Sequence, residues 1–436
     1  MTSSGCIAAA LAAVFLSACT SVNPLESPSL TKGTGQAGNV KLSELKTRAA
    51  EGDYFAQTHL AWHYDTGKGV PTDPQEAARL YKLAAQKGHS MAQNNLGQLY
   101  REGRGVAQDY TEAAKWFRKA ADQGNAYAQT NLGWLCEQGF GLKRDYAEAA
   151  KWYHRAAEPI SSSLTGYKTP GNPLAQNNLG LLCREGRGVA QDSNEAVRWF
   201  RLAAAQSNDH AWHNLGLMYE QGEGVQRDEM EAMKCYKKAI EAGNAFAMTS
   251  LGWMLENGRD MRRDFVEAAN WYRKAADLGY AMAQNNLATM YREGRGVRQD
   301  FISAAEWYRK AADQGNAYSQ ATLGWMYEKG HGVKQDFTLA FEWYRRAAAQ
   351  GLSVGQIGLG LFYYHGASVK KDLGTAYKWL HLAAQQGHSK AGEYRDALAK
   401  EMTVEQITEA RKQATDFIPE SEAAKGTQSH SSLARP

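Results

Sequence analysis

Apolar residues recur along this chain in two alternating runs, each with the spacing of a helix. From Ala56 the pattern divides into nine units of 36 residues, starting at 56, 92, 128, 175, 211, 247, 283, 319 and 355; the third is longer by an insertion of 11. In the first run of a unit, places 1, 5, 8 and 12 fall on one face at 100° per residue. In the second unit these are Ala92, Leu96, Leu99 and Gly103. In the second run the apolar stripe is Ala113, Trp116, Phe117 and Ala120. Every unit has Leu at place 5, Gly at 12, Asp at 18 and Ala at 22. Glycine suits a left-handed helix end, so Gly103 predicts the close of the first helix. Gly97 lets a neighbouring helix approach, and Gly105 helps to turn the chain. Asp109 predicts the cap of the second helix, with Glu112 placed as in a capping box.

The stretches AQNNLGQLYREGRGV from Ala92, AQNNLGLLCREGRGV from Ala175 and AQNNLATMYREGRGV from Ala283 are near copies. The wider pattern, AQxxLGxxYxxGxGVxxDxxEAAxWYRKAAxQG, resembles the Sel-one-like repeat (SLR) family, relatives of the tetratricopeptide repeat. The resemblance covers about Lys41 to Phe417. It implies an all-α, right-handed α-solenoid whose first helices line the concave side. One unit cannot bury its apolar face alone, so neighbours must stack. The expected organisation is a capping helix over 41–55, repeats over 56–390 and capping helices over 391–418. Thr403 and Gln406 are placed as a capping box. Residues 419–436 read as a polar, disordered tail. The insertion, Pro159 to Pro173, reads as a surface loop, with Tyr167 a candidate lid or partner contact.

Places 3, 7 and 10 of the first helix lie opposite the buried stripe on a helical wheel and predict a solvent-facing groove. Place 7 nevertheless holds Trp62, Trp134, Trp253 and Trp325, while Asn94, Asn177 and Asn285 at place 3 accompany Arg101, Arg184 and Arg292 at place 10. Aromatic rings beside planar amide and guanidinium donors suit an extended peptide or a sugar chain. The alternatives are tryptophans that lean onto the adjacent helix and are buried, or a duplicated two-unit block with no selected groove. The resemblance implies roles in envelope assembly, host interaction or signalling. The expected partner is a protein or peptide, with components of peptidoglycan or polysaccharide assembly among the candidates.

The first residues add a location. Ile7 to Ala18 is apolar but too short to span a bilayer. Leu16-Ser17-Ala18 before Cys19 resembles a bacterial lipoprotein signal, which implies lipid on Cys19 and an exported protein of a Gram-negative periplasm or outer membrane; an ordinary signal peptide over 1–18 is the alternative. Residues 19–40 read as a flexible tether. Net charge is +4 over 436 residues, which gives no push toward nucleic acid. The basic pairs Arg273-Lys274, Arg309-Lys310 and Arg345-Arg346 are read as complements of the helix dipole. Cys136, Cys183 and Cys235 replace aromatic core positions, and no disulfide between Cys136 and Cys183 is expected. No metal or cofactor is called for; His59 and His63 lack a zinc motif around them. Ser43-Glu44-Leu45-Lys46 matches the SxxK of penicillin-binding enzymes without its companion motifs, so a cell-wall peptide or β-lactam hydrolase is the second reading.

Overall fold

In the computed structural model the described residues are 42–161, 168–258 and 262–420. They form twenty-one α-helices and one two-residue strand ladder. The chain divides into two compact units after Arg227. The division falls between the two helices of the fifth repeat, within the stretch 56–390 expected as nine repeats.

In the first unit, α1 (Leu42–Ala50) precedes four helical hairpins and one further helix. The hairpins are α2 (Tyr54–Thr66) with α3 (Pro74–Gln86), α4 (Ser90–Glu102) with α5 (Tyr110–Asp122), α6 (Ala126–Gln138) with α7 (Tyr146–Ala157), and α8 (Pro173–Glu185) with α9 (Ser193–Ala205). The last helix is α10 (Asp209–Gln221). The second unit opens with α11 (Glu229–Glu241). Hairpins follow: α12 (Ala245–Asn257) with α13 (Phe265–Asp277), α14 (Ala281–Glu293) with α15 (Phe301–Asp313), α16 (Ala317–Lys329) with α17 (Phe337–Ala349), and α18 (Ser353–His365) with α19 (Leu373–Gln385). It ends with α20 (Ser389–Ala399) and α21 (Val404–Thr415). The N-terminal capping helix is shorter than expected, because α2 already begins at Tyr54.

Local chemistry sets these boundaries. Gly103 closes α4 in the left-handed region, and its N–H donates to Leu99 O at 2.8 Å. The Asp109 carboxylate accepts from the N–H groups of Thr111 and Glu112. The reciprocal half of the expected capping box is not made there. The Asp109 N–H already donates to Tyr100 O in the preceding helix, so Glu112 turns outward to Lys115. At Thr403 and Gln406 both halves form.

Stacking depends on small residues and one recurring glutamine. A Cβ on Gly97 would sit 2.8 Å from the Phe117 ring, so the glycine seats the second helix on the first. A Cβ on Gly105 would lie 2.0 Å from Pro74 O of the preceding hairpin. The second glycine of the loop is therefore an inter-repeat contact, beyond the turn expected of it. Gln93 Nε2 donates to Ala85 O at the end of α3, and Gln93 Oε1 accepts from Gln123 in its own repeat at 2.7 Å. Gln284 and Gln320 repeat both bonds in the second unit. Carbonyls at a helix end lack the usual i+4 donor; here each accepts from a following glycine N–H, and this glutamine adds a second bond. The fifth and sixth repeats carry Trp212 and Met248 instead.

The core is alanine-rich, with at least one large buried ring in each repeat. Tyr81, Phe117, Tyr153 and Phe200 in the first unit, and Tyr236, Tyr272 and Tyr308 in the second, are fully buried. Each contributes on the order of 2 kcal/mol by burial. Trp116, expected in this stripe, is only partly buried and carries Lys119 Nζ 4.2 Å above its ring. At the ends, Leu45 and Ala49 of α1 cover α2, while Leu398 and Ala410 join the core of α19. The insertion is more ordered at its base than a plain loop, and it interrupts the all-α pattern. Ile160–Ser161 pairs antiparallel with Lys168–Thr169, and Gln176 Nε2 holds both Pro170 O and Ala157 O. Tyr167, Cys19 with the leader and tether, and the tail from 421 lie outside the described residues. No described helix is long and apolar enough to cross a membrane.

Candidate protein-interaction site

Places 3, 7 and 10, which the helical wheel put on an outward face, form the seam between successive first helices in the first unit. Asn131 Nδ2 of α6 donates to Asn94 Oδ1 of α4 at 3.1 Å, and Arg101 Nη1 donates to Asn131 Oδ1 at 3.3 Å. Asn94 is 0% and Arg101 4% exposed. Arg101 also pairs with Glu102, which pairs with Arg104, which reaches the buried Asp65 of the first repeat. Charges cancel within this group, as burial requires. Asn177 accepts from Asn214 in the same way, and Arg184 pairs with Glu223 and Gln221 of the fifth repeat. Glu137 lies under Tyr153 and Arg187. Burial raises its carboxyl above the usual range, although the Tyr153 hydroxyl and Arg187 pull it down.

The tryptophans of this unit belong to the same seam. Trp62 and Trp134 are each 7% exposed. Lys68 lies 4.8 Å from the Trp62 ring, and the Arg101 guanidinium 5.6 Å from that of Trp134. Phe140 packs against Trp134 and stacks on Tyr110. The reason is geometric: the next first helix sits close enough to cover places that one helix alone would expose.

The second unit keeps the seam bonds but leaves more of the face open. Ser319 Oγ donates to Asn285 Oδ1, Arg292 pairs with Glu293, and Arg295 pairs with Glu256. Asn285 and Arg292 are half-buried rather than covered. Trp253 is 44% exposed. Trp325 is half-buried against His331, which stacks on Phe301. Beside them stand three residues absent from the expected site, Met282, Tyr318 and Val354, all exposed, with Tyr318 at 62%. They occupy the position just before place 1. Its signal was in the sequence, since that position reads Phe55, Met91, Tyr127, Leu174, His210, Phe246, Met282, Tyr318 and Val354 along the chain. It was passed over because it belongs to the first turn, ahead of the stripe that defines each unit.

The remaining candidates take structural places. Cys136 and Cys183 are buried thiols with no bridge between them, and burial pushes each up to about 11. Cys235 is buried as well. His63 Nδ1 contacts Lys68 O, and burial, then His63, lowers His59. No group of three metal-ligating side chains occurs among the described residues. Ser43 and Lys46 stand exposed on α1. The basic pairs do more than complement dipoles. Lys274 lies 4.0 Å from the Trp271 ring and Lys310 3.8 Å from that of Trp307; Arg273 and Arg309 donate to Tyr291 and Tyr327 of the following repeats.

Stacked helical hairpins of one recurring length, clipped at fixed positions, define a repeat protein of the α-solenoid class. The model of the Sel1 repeat matches nine segments, 55–89, 90–125, 126–158, 173–208, 210–244, 245–280, 281–316, 317–352 and 353–388. The chain belongs to the Sel1 repeat family, whose members are in general protein-interaction scaffolds. Among solved structures it is similar to a Sel1 repeat protein from Oxalobacter formigenes, with 33% identity over 73% of this chain and 89% of that one, TM-score 0.52. It is also similar to a protective antigen present in uropathogenic Escherichia coli strains that displays an SLR fold, with 31% identity over 91% of this chain and 99% of that one, TM-score 0.49. No curated protein matches it.

Proposed function

We propose that the chain is a non-enzymatic scaffold of the bacterial envelope that binds a segment of a protein partner on the first-helix face of residues 245–365. The observation that carries this reading is Trp253, 44% exposed where Trp62 and Trp134 at the same place of the first unit are each 7% exposed, with Tyr318 exposed on the same run of first helices. Exposed aromatics of this kind are the usual anchors of protein recognition. Met282, Val354 and the half-buried Trp325 extend the apolar surface on either side. The envelope location rests on Leu16-Ser17-Ala18-Cys19 in the leader.

Two experiments test it. In a pull-down from envelope extract, the Trp253→Ala/Tyr318→Ala double variant loses a partner that the parent chain retains, while its melting transition is unchanged. Equal recovery by parent and variant would sink the proposed face. In cell fractionation, Cys19→Ser moves the chain from the membrane to the soluble fraction; an unchanged distribution would remove the anchor.

A further inference from the structure

The nine repeats allow one position to be compared with itself on nearly the same backbone. Place 16 lies in the loop just before the Asp that caps the second helix. In the repeats of the first unit it holds Pro71, Ala107, Lys143, Ala190 and Gln226. In the second unit it holds Arg262, Arg298, Lys334 and Lys370, all exposed and none in an ion pair among the described residues. In the ninth repeat Glu401 pairs with Lys371 beside Lys370; the capping carboxylates stand two residues on, Asp264, Asp300 and Asp336 among them. They are bonded to backbone N–H groups at a helix N-terminus, whose partial positive charge offsets them.

Place 20, in the first turn of the same helix, changes in step. The first unit has Gln75, Thr111, Ala147 and Asn194 there. The second has Met230, Val266 and Ile302, at 54%, 60% and 63% exposure. In the eighth repeat, where place 20 is Thr338, its neighbours Phe337 and Leu339 are exposed instead. A β-branched apolar side chain on an exposed first turn contributes nothing to packing. Exposed apolar groups follow three of the four basic loops, Val266 after Arg262, Ile302 after Arg298 and the Phe337–Leu339 pair after Lys334, while the ninth repeat has Gly374 at place 20; the recurrence points to a role outside the fold.

We propose that this edge of the second unit docks on an anionic lipid bilayer. The basic loop residues lie against headgroups, and Val266, Ile302 and the Phe337–Leu339 pair enter the boundary with the acyl chains. Charge complementarity names the anionic partner. The apolar groups favour a bilayer over an acidic peptide, because they stand exposed on the first turns of successive second helices in the sixth to eighth repeats. This inference is independent of the partner face on the first helices, which lies on other residues.

The test is co-sedimentation of the full chain with phosphatidylcholine vesicles, with and without about one-third phosphatidylglycerol. The parent binds the anionic vesicles, and added salt releases it. Arg298→Glu/Lys334→Glu/Lys370→Glu weakens binding by at least about a hundredfold, near fivefold per charge removed. The control Lys46→Glu/Lys143→Glu/Lys412→Glu makes the same change in net charge at exposed sites elsewhere and retains most of the binding. Val266→Ser/Ile302→Ser weakens binding with no change in charge. Equal loss in both charge variants, equal binding to neutral vesicles, or no binding to either would overturn the proposal. So would capture of a polyglutamate probe by a parent chain that ignores vesicles, which would make the edge a protein site.

Discussion

Tryptophan at place 7 of the repeat has two roles, and its neighbours decide which. Trp134 is enclosed by Arg101, Phe140 and the seam of amides beneath it. Trp134→Ala opens a cavity and should cost about 3–5 kcal/mol, read as a lower denaturant midpoint. Trp253→Ala removes an exposed ring and should stay within about 0.5 kcal/mol of the parent. Similar losses at both positions would show that the second face is not open. His89 supplies a second test at this scale. Its ring packs against Tyr54 and Phe55, and Nδ1 lies 2.9 Å from Thr58 Oγ1, whose own hydroxyl donates to Tyr54 O. Burial, then the charge of His59, lowers its pKa to about 4. A depressed histidine binds more protons unfolded than folded between its two pKa values. Stability should therefore be complete above the unfolded value, about 6.5, and fall as pH drops toward 4. His89→Gln should flatten that slope in urea titrations; an unchanged slope would assign it to other groups.

At the scale of the element, each hairpin is specified by its own residues and joined to the next by few others. The Asp cap satisfies its helix N-terminus and ties its own N–H to the preceding helix. The glutamine at place 2 reaches back to the end of the hairpin before it. Gln320→Leu removes the bonds to Ala312 O and Gln350 and should cost about 1 kcal/mol, since Ala312 O keeps the bond from the Gly315 N–H. Hydrogen exchange should show the loss around α15 and α16 first, because a repeat leans only on its neighbours. Met248→Gln tests the converse. It offers Ile240 O at the end of α11, which already accepts from the Gly243 N–H, the second donor that its counterparts have, and should stabilise the second unit by about 1 kcal/mol. No gain there would mean that the backbone of these repeats does not present the carbonyl.

Over the whole molecule the repeat was legible because it is local. Helix starts, helix ends and loop glycines depend on residues within a few positions of one another, so the nine hairpins followed from periodicity and capping chemistry alone. The site was legible only in part. Asn94, Arg101 and Trp134 were correctly singled out as unusual, but a helical wheel knows nothing of the helix alongside, and in the first unit that helix buries them. Trp253 stays open in the second unit by the same geometry, which no pattern within one helix encodes. The sequence by itself thus determined what short-range forces decide: the length of the repeat, its two helices, its turns and its order. Tertiary structure decided which polar and aromatic groups are consumed in stacking and which face outward, because that depends on how closely one repeat sits on the next. Partner capture and vesicle binding by the second unit are where those outward groups meet experiment.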